Sequence, residues 1–340
     1  MGKGAKRDRI GRLGITGTVV YLLGSLWGCT PAEPPAREFR VEATPARLER
    51  GRYLVENVAK CFLCHSEVDW ENTGEPMPGT KGGGGLIPDE VLPFKVYGPN
   101  ISPDPETGGG TWTDEQFARA IREGIGNDGR TLFPLMAYPF FRTMSDEDLA
   151  AVIAYVRSIP PVRNEVPQTE LPEEIKQALE PMPLTGPVPP PDFSDPVQRG
   201  AYLAALAECA ACHTPLDAQF LPLPGMDFSG GQPLKGPWGD VASANITPDP
   251  SGISYYDEAF FMKTIRTGRV GGVRELNHIM PWKSFRNMTD EDLKAIFAYL
   301  RTLTPVQHRV DNAEPPTDCP RCGGTHGYGE RNFVSQTSAP

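Results

Sequence analysis

Cys61-Phe62-Leu63-Cys64-His65 and Cys209-Ala210-Ala211-Cys212-His213 are the two stretches that decide the fold of this 340-residue chain. Both have the spacing Cys-x-x-Cys-His, which puts the two cysteines on one side of a helical turn with the histidine directly after them. This is the attachment motif of c-type haem, because both sulfurs reach the vinyl groups of the ring and the histidine reaches the iron. The sequence therefore predicts two covalently bound haem c groups, with His65 and His213 as iron ligands.

The two motifs belong to a long internal repeat. Residues 141–162 (FRTMSDEDLAAVIAYVRSIPPV) and 285–306 (FRNMTDEDLKAIFAYLRTLTPV) match at thirteen of 22 positions without a gap. Asn-Ile-Ser-Pro-Asp-Pro at 100–105 likewise has a counterpart in Asn-Ile-Thr-Pro-Asp-Pro at 245–250. A period of this length is too long for a solenoid unit and indicates a duplicated domain.

Each copy is predicted to contain three short helices. The first has an apolar face at Gly51, Leu54, Val55 and Val58, or at Gly200, Leu203, Ala204 and Ala207 in the second copy. The middle helix is expected to begin at Thr113 and end at Gly124 in the first copy, and to begin near Asp257 and end at Gly268 in the second. The last helix is expected to be capped by Ser145 in the first copy and by Thr289 in the second. Three short helices with long loops make a small core, so a large apolar group is expected between them.

An electron-transfer haem takes a second axial ligand, and the repeat offers an aligned pair of methionines. Met136 and Met280 each lie twelve residues beyond the glycine that ends the middle helix. Met144 and Met288 also align, but they directly precede helix caps, which suits core packing. His278 is a further alternative for the second site. We expect Met136 and Met280 to complete the coordination of the two irons.

The C-terminal tail holds a third group of ligand-type residues: His308, Cys319, Cys322 and His326. Cys319 and Cys322 are expected to form a disulfide or to remain free thiols. A metal site of all four residues is the alternative, since this set suits zinc. The spacing Cys-x-x-Cys-x-x-x-His is one residue longer than the haem motif and disfavours a third haem.

The N-terminus has the pattern of an export signal. Five basic residues among the first twelve precede sixteen uncharged residues, 13–28, which is short for a membrane span and suits a signal peptide. The stretch ends in Leu26-Trp27-Gly28-Cys29, which resembles a bacterial lipoprotein cleavage box. Ordinary cleavage nearby and an uncleaved anchor are the alternatives. We expect a periplasmic, membrane-anchored lipoprotein with Cys29 lipidated.

The amino-acid composition limits which partners and which secondary structure are expected. The net charge is −10 although the leader is basic, and so acidic a body argues against nucleic acid as a partner. The 36 glycines and 37 prolines predict much loop. The Pro-rich segment 162–196 is expected to be an extended connector that spaces the two copies, with a short helix at 173–180.

The motifs together resemble the cytochrome c subunits of bacterial membrane-bound alcohol, aldehyde and gluconate dehydrogenases. The shared features are Gly-x-Tyr-Leu before each cysteine motif, ACHTPLDAQ at 211–219, Asn-Ile-Ser/Thr-Pro-Asp, the methionine loop and the Asp-Glu-Asp-Leu helix. The resemblance covers about 47–161 and 199–306. This sequence departs from the family in lacking a third haem domain, in its Cys-rich tail and in Ala137, where the family usually has proline.

The resemblance implies an all-α fold of two tandem class I cytochrome c domains, with few short helices and long loops around each covalent haem. The expected divisions are a signal peptide 1–28, a tether 29–46, a first domain 47–161, a linker 162–196, a second domain 197–306 and an irregular tail 307–340. The resemblance carries the haem roles onto the following residues: Cys61, Cys64, His65, Met136, Cys209, Cys212, His213 and Met280.

The implied function is electron transfer from a periplasmic or membrane-bound dehydrogenase to a downstream cytochrome or oxidase. We expect a carrier rather than an enzyme, because the sequence offers no arrangement of nucleophile and general base. A di-haem peroxidase or sulfur-compound oxidase is the alternative, and it requires one labile distal ligand. A haem-based sensor or a structural component of a redox complex is a third class.

Overall fold

Helices occupy the predicted places of both copies in the computed structural model, which describes residues 39–217, 220–272 and 274–328. The first copy contains α1 (Pro45–Tyr53, continued by a π-helical turn Leu54–Val58), α2 (Asp114–Glu123), α3 (Tyr138–Phe141) and α4 (Asp146–Ser158). Between the copies lies α5 (Glu173–Ala178). The second copy contains α6 (Pro196–Leu206), α7 (Cys209–His213), α8 (Glu258–Thr267), α9 (Trp282–Phe285) and α10 (Asp290–Leu300).

The helix ends are set by the residues that the sequence pattern singled out. Thr113 forms a reciprocal capping box at the start of α2, and Gly124 ends that helix in the left-handed region at φ 69°. Gly268 ends α8 in the same way at φ 68°. The side chains of Ser145 and Thr289 accept backbone N–H bonds at the starts of α4 and α10. The predicted helix boundaries are confirmed at these caps.

A glycine lets the first and last helices of each copy cross closely. A Cβ atom on Gly51 would lie 2.0 Å from the carbonyl oxygen of Ala151 in α4. A Cβ atom on Gly200 would lie 1.9 Å from the carbonyl oxygen of Ala295 in α10. Any larger residue would push the helix pair apart, so the glycine of Gly-x-Tyr-Leu fixes the scaffold that carries each cysteine motif.

Short antiparallel ladders add to the helices, so the all-α expectation was too narrow. In the described residues the pairs are β1 (Gly85–Ile87) with β2 (Val96–Gly98), β3 (Pro233–Gly236) with β4 (Gly239–Ala242), β5 (Arg269–Val270) with β6 (Arg274–Glu275), and β7 (Thr317–Asp318) with β8 (Thr325–His326). The first two pairs satisfy backbone polar groups in the long loops between the cysteine motifs and the middle helices, while the other two lie after α8 and in the tail.

One contact between the two copies occurs twice, once on each side. The Tyr53 hydroxyl of α1 donates to a carboxylate oxygen of Asp292, and the equivalent Tyr202 hydroxyl donates to Asp148 at 2.7 Å. Each aspartate also accepts from an arginine of its own copy: Arg50 to Asp148 at 2.8 Å and Arg199 to Asp292 at 2.6 Å. The copies are thus related as the halves of a two-fold dimer are, within one compact unit.

The Pro-rich segment does not space the copies, and that expectation was wrong. It lies along the first copy: the Thr169 hydroxyl accepts the Tyr97 N–H at 2.9 Å, and the Met182 N–H donates to the Glu123 carbonyl at 2.9 Å. An extended chain has no internal hydrogen bonds, so it takes its partners from the surface beneath it. The predicted short helix within the segment is present as α5.

None of the helices in the described ranges is both long and apolar enough to cross a membrane. The predicted leader and Cys29 lie outside the described residues, so export and lipidation stay predictions.

Candidate functional site

One cavity of 1740 Å³ lies between the two copies and contains the predicted site residues. Ligand pockets commonly measure about 300–1,000 Å³, so this cavity has room for two large groups. All eight predicted haem-binding residues line it: Cys61, Cys64, His65, Met136, Cys209, Cys212, His213 and Met280. The two halves of the sequence therefore line one shared cavity.

The two motif histidines are held in the form that binds iron. Nδ1 of His65 lies 2.8 Å from the Pro99 carbonyl oxygen, and Nδ1 of His213 lies 2.7 Å from the Ala244 carbonyl oxygen. A carbonyl only accepts, so each Nδ1 carries the proton and each Nε2 keeps its lone pair free. Burial lowers the pKa of both histidines, which keeps the rings neutral.

The four motif cysteines lie in dry walls close to the boundary between the copies. Burial raises the pKa of Cys61, Cys64 and Cys209 to about 12, and it raises the pKa of Cys212 as well. All four carry unbonded sulfurs. The thiols are therefore neutral and add no charge to the apolar cavity.

The aligned methionines reach the cavity on different turns. Met136 ends the 3₁₀ turn Pro134–Met136, and Ala137 follows it in the left-handed region at φ 61°. Met280 is followed by Pro281 at φ −78°. The rival methionines, Met144 and Met288, are 1% and 2% exposed and pack in the hydrophobic core, as expected for gap-filling side chains.

His278 also lines the cavity, but a contact between the copies explains its position. Its Nε2 lies 2.6 Å from the carbonyl oxygen of Trp70 in the first copy, and it donates there because the carbonyl only accepts. Lys283 donates to the Thr73 carbonyl at 2.7 Å beside it. This geometry favours Met280 over His278 as the side chain free to reach an iron.

Three indole groups test whether the cavity fits a porphyrin with acidic side chains. Trp70, Trp238 and Trp282 line the cavity, and their buried Nε1 atoms have no hydrogen-bond partner among the described residues. Buried N–H groups are rarely left unpaired in folded proteins. Propionate groups of a haem would supply acceptors in a cavity that is largely apolar, so the residues present fit the group.

The asparagines that begin the repeated Asn-Ile-Ser/Thr-Pro-Asp-Pro motif fasten loops. Asn100 donates its side-chain amide to the Val162 carbonyl at 2.7 Å, and Asn245 donates to the Val306 carbonyl at 2.8 Å. Each ties the loop before the middle helix to the chain that leaves the last helix. Their repeat in the sequence is therefore explained by loop packing.

Sequence reasoning missed an ion pair that joins the two motifs. Lys60 and Glu208 occupy equivalent places directly before Cys61 and Cys209, and both are in the left-handed region, at φ 44° and 58°. Nζ of Lys60 lies 3.1 Å from a carboxylate oxygen of Glu208. Burial is the largest influence and acts to lower the pKa of Lys60, but the charge and the hydrogen bond of Glu208, together with smaller contributions from Cys212 and Cys64, raise the pKa overall. Opposite charges at equivalent positions of the repeat were the available signal.

The tail residues form a separate cluster beside the second copy. The ligand atoms of His308, Cys319, Cys322 and His326 all lie within 4.8 Å of one another. Both histidines are buried, and both cysteine sulfurs are unbonded. None of the four lines the large cavity. The structure therefore brings together all four residues that the sequence grouped.

Comparison with known proteins gives one match for each copy. The family model described as cytochrome c matches residues 48–160 and 197–304. These ranges contain both Cys-x-x-Cys-His motifs and both aligned methionines, and they leave out the tail cluster.

Three curated relatives resemble the chain at a similar level. A nicotinate dehydrogenase subunit of Pseudomonas putida is 31% identical over 324 residues, which cover 89% of this chain and 26% of that protein. The cytochrome c subunit of alcohol dehydrogenase (quinone) of Gluconacetobacter polyoxogenes is 32% identical over 292 residues, 78% of this chain and 58% of that protein. A diheme cytochrome c-type protein of Cereibacter sphaeroides is 28% identical over 257 residues, 73% of this chain and 83% of that protein. The chain thus spans only part of the two dehydrogenase relatives.

Proposed function

The chain belongs to the cytochrome c family, and from this premise we propose that it is a di-haem electron carrier between a dehydrogenase and a downstream acceptor. The observation that carries the proposal is the single cavity lined by both cysteine-histidine motifs and both aligned methionines. Two haems bound there would share one apolar enclosure, so an electron could pass between them without entering water.

The residues of the chain have separate tasks in this proposal. Haem c, when bound, supplies a reversible one-electron couple. The cysteine pairs of the two motifs would hold haem covalently, and His65 and His213 would present neutral Nε2 atoms to its iron. Met136 and Met280 would supply thioether ligands, which favour reduced iron and raise the potential. The apolar walls exclude water, which keeps the change in solvation on electron transfer small.

The pair of Lys60 and Glu208 keeps the boundary between the two sites balanced in charge. A lysine alone at this place would stabilise an electron on the nearer haem, and a glutamate alone would repel it. Because the two charges lie 3.1 Å apart, their fields largely cancel at longer distance. The path between the copies therefore carries no strong barrier or trap from these residues.

The alternative of a di-haem enzyme requires one open distal position. Both copies provide a methionine that lines the cavity, and the rival ligand His278 donates to a backbone carbonyl. An equivalent closing residue in each copy favours electron transfer over peroxide or sulfur-compound chemistry.

The test is a redox titration of the purified mature protein, with spectra recorded in the presence and absence of carbon monoxide. We expect two covalent haems per chain, and neither should bind carbon monoxide in the reduced protein as isolated. A colourless protein or a single haem per chain would refute the proposal. Carbon monoxide binding without mutation would favour the enzyme.

Variants of the methionines assign the axial ligands. Met136→Ala and Met280→Ala should each open one iron to carbon monoxide and lower one potential, by a measurable part of the roughly 0.8 V that axial ligands span. Met144→Leu is the matched control, because this buried methionine packs in the core and should leave both potentials unchanged. If Met136→Ala changes neither potential nor carbon monoxide binding, Met136 is not a ligand.

We further propose that the donor is a dehydrogenase and that Cys29 anchors the carrier, as a lipoprotein, on the periplasmic side of a membrane. Relatives named as dehydrogenase subunits support the first part, and the leader sequence supports the second. Cys29→Ser should release the cytochrome from isolated membranes, and membranes given the dehydrogenase substrate should then no longer reduce it. Full retention of the variant in the membrane would contradict the anchor.

A further inference from the structure

The distances between two cysteine sulfurs and two imidazole nitrogens of the tail are similar to those in a metal site. Sγ of Cys319 lies 3.4 Å from Nε2 of His308, and Sγ of Cys322 lies 3.2 Å from Nε2 of His326. A tetrahedral ion bonded to sulfur at about 2.3 Å and to nitrogen at about 2.0 Å would separate neighbouring ligand atoms by about 3.3–3.8 Å. One ligand atom from each of the four residues lies within 4.8 Å of the others, so a contraction of at most about 1 Å would bring all four to those separations.

We propose that His308, Cys319, Cys322 and His326 bind one Zn²⁺ ion as a structural site. The backbone around the cysteines supports the proposal. The Arg321 N–H donates to Sγ of Cys319 at 3.4 Å, and the Gly324 N–H donates to Sγ of Cys322 at 3.4 Å. Such donors stabilise thiolates, which are the metal-binding form of cysteine. A disulfide carries no charge to stabilise and has no use for an imidazole nitrogen beside each sulfur.

The first copy provides an internal comparison for His308. The gap-free alignment of 141–162 with 285–306, continued by two residues, pairs Asn164 with His308. The Asn164 amide donates to the Gly83 carbonyl at 2.9 Å, and Nδ1 of His308 donates to the equivalent Ser229 carbonyl at 3.0 Å. An asparagine is therefore sufficient for this loop contact. Histidine keeps the contact and adds a second nitrogen, which faces Cys319.

Other cofactors need a different arrangement of the same four side chains. A two-iron cluster with mixed ligands binds two cysteines on one iron and two histidines on the other. Here each cysteine sulfur has a histidine nitrogen within 3.4 Å, so the two ligand types are not separated. In a third haem c the sulfurs would bond to the edge of the ring and an imidazole nitrogen to the iron at its centre, so they would lie farther apart than the 3.2 and 3.4 Å seen here. Two thiolates and two imidazoles in tetrahedral proximity are typical of zinc.

The ion would fasten the tail over one wall of the haem cavity. Cys319 and Cys322 lie in the loop of the β7–β8 hairpin, and His326 lies on β8. In the same tail, the Asn312 side chain exchanges two hydrogen bonds of 2.8 Å with the backbone of Ala242, a cavity residue. Zinc would cross-link the tail into a compact segment packed on the second copy. Within the described residues the first copy has no such segment.

The experiment is elemental analysis of the mature full-length protein by plasma mass spectrometry, with X-ray absorption at the zinc edge. We expect about one zinc per chain, with two sulfur ligands at about 2.3 Å and two nitrogen ligands at about 2.0 Å. His308→Asn keeps the loop hydrogen bond, as Asn164 does, but removes one ligand, so zinc content should fall at least about tenfold. Cys319→Ser should have the same effect, while the haem spectrum persists.

His278→Gln is the matched control, because this histidine lies outside the cluster, and its zinc content should equal that of the unmodified protein. A Cys319–Cys322 disulfide in protein without zinc would overturn the proposal. So would zinc retained by both ligand variants, or iron and sulfide in excess of the haem content. If the variants fail to fold, a chelator should remove zinc reversibly from the unmodified protein, and failure to rebind it would count against the site. The zinc content does not depend on the haem count, so this proposal and the proposed function fail separately.

Discussion

The two copies share one helical frame but close their methionine loops differently. In each copy the first helix crosses the last at a glycine that touches a backbone carbonyl of its partner. The methionine of the first copy is followed by Ala137 at φ 61°, whereas that of the second is followed by Pro281 at φ −78°. Proline cannot adopt a positive φ, so the first loop excludes the residue that the second one uses. The helix crossing therefore leaves room only for glycine, while the methionine loop can be built with two different backbone conformations.

The copies also differ in what covers them. The Pro-rich segment lies along the first copy, and the tail with its Cys/His cluster lies along the second. Both covers begin from the same anchor, an asparagine that binds the chain as it leaves the last helix. The two copies thus share their helices, whereas the segments that follow the last helix differ: the Pro-rich segment covers the first copy and the tail covers the second.

The largest expected effect comes from filling the helix crossings. Gly51→Ala and Gly200→Ala should each lower the free energy of unfolding by about 3 kcal/mol or more, because the new Cβ would meet a backbone carbonyl at 2.0 or 1.9 Å. Denaturant unfolding followed by haem absorbance measures this. Gly186→Ala is the control, since its Cβ would have no atom within 4 Å. If one of the two variants is as stable as the unmodified protein, only the other copy depends on glycine at its helix crossing.

A smaller and local effect is expected in the methionine loop of the first copy. Ala137→Pro should make this loop resemble the second one in sequence but cost about 2 kcal/mol, because φ 61° is forbidden to proline and the N–H bond to the Pro134 carbonyl is lost. We expect one haem of the variant to bind carbon monoxide. Ala137→Gly, which suits a positive φ, should leave both haems closed. An unchanged Ala137→Pro protein would show that the two loops are interchangeable.

The smallest effect tests whether the contact between the copies is used equally on both sides. Tyr53→Phe and Tyr202→Phe should each lower the free energy of unfolding by about 1–2 kcal/mol, since each removes a hydrogen bond to a buried aspartate. The two losses should agree closely if the interface is pseudo-symmetric. If only one variant loses stability, the interface between the two copies is not pseudo-symmetric.

The same tyrosines predict a sensitivity to alkaline pH. Burial, followed by the bond to Asp292, raises the pKa of Tyr53 from 10 to about 12. The unfolded chain then loses this proton first, so the stability contributed by Tyr53 is complete below pH 10 and is lost as the pH rises towards 12. Tyr53→Phe should weaken the fall in stability between pH 10 and 12, as measured by denaturation at both ends of that range.

Much of the fold was accessible from the sequence because it depends on local chemistry. Thr113 and Ser145 cap helices through their own side chains, and Gly124 ends a helix through its own backbone freedom, so each signal is readable within a few residues. The Cys-x-x-Cys-His spacing is equally local. The spacing role given to the Pro-rich segment failed because proline content indicates an extended chain but not the surface on which it lies.

The sequence by itself determined the two haem motifs, the duplicated helices and the pairing of Met136 with Met280, since each follows from residue type and spacing along the chain. Only the tertiary structure decided that both motifs open into one cavity, that Lys60 meets Glu208 and that His308 meets Cys319. These contacts join residues from both copies or two separated residues of the tail. Their geometry depends on how helix crossings and loops place distant segments, and no local pattern encodes that placement.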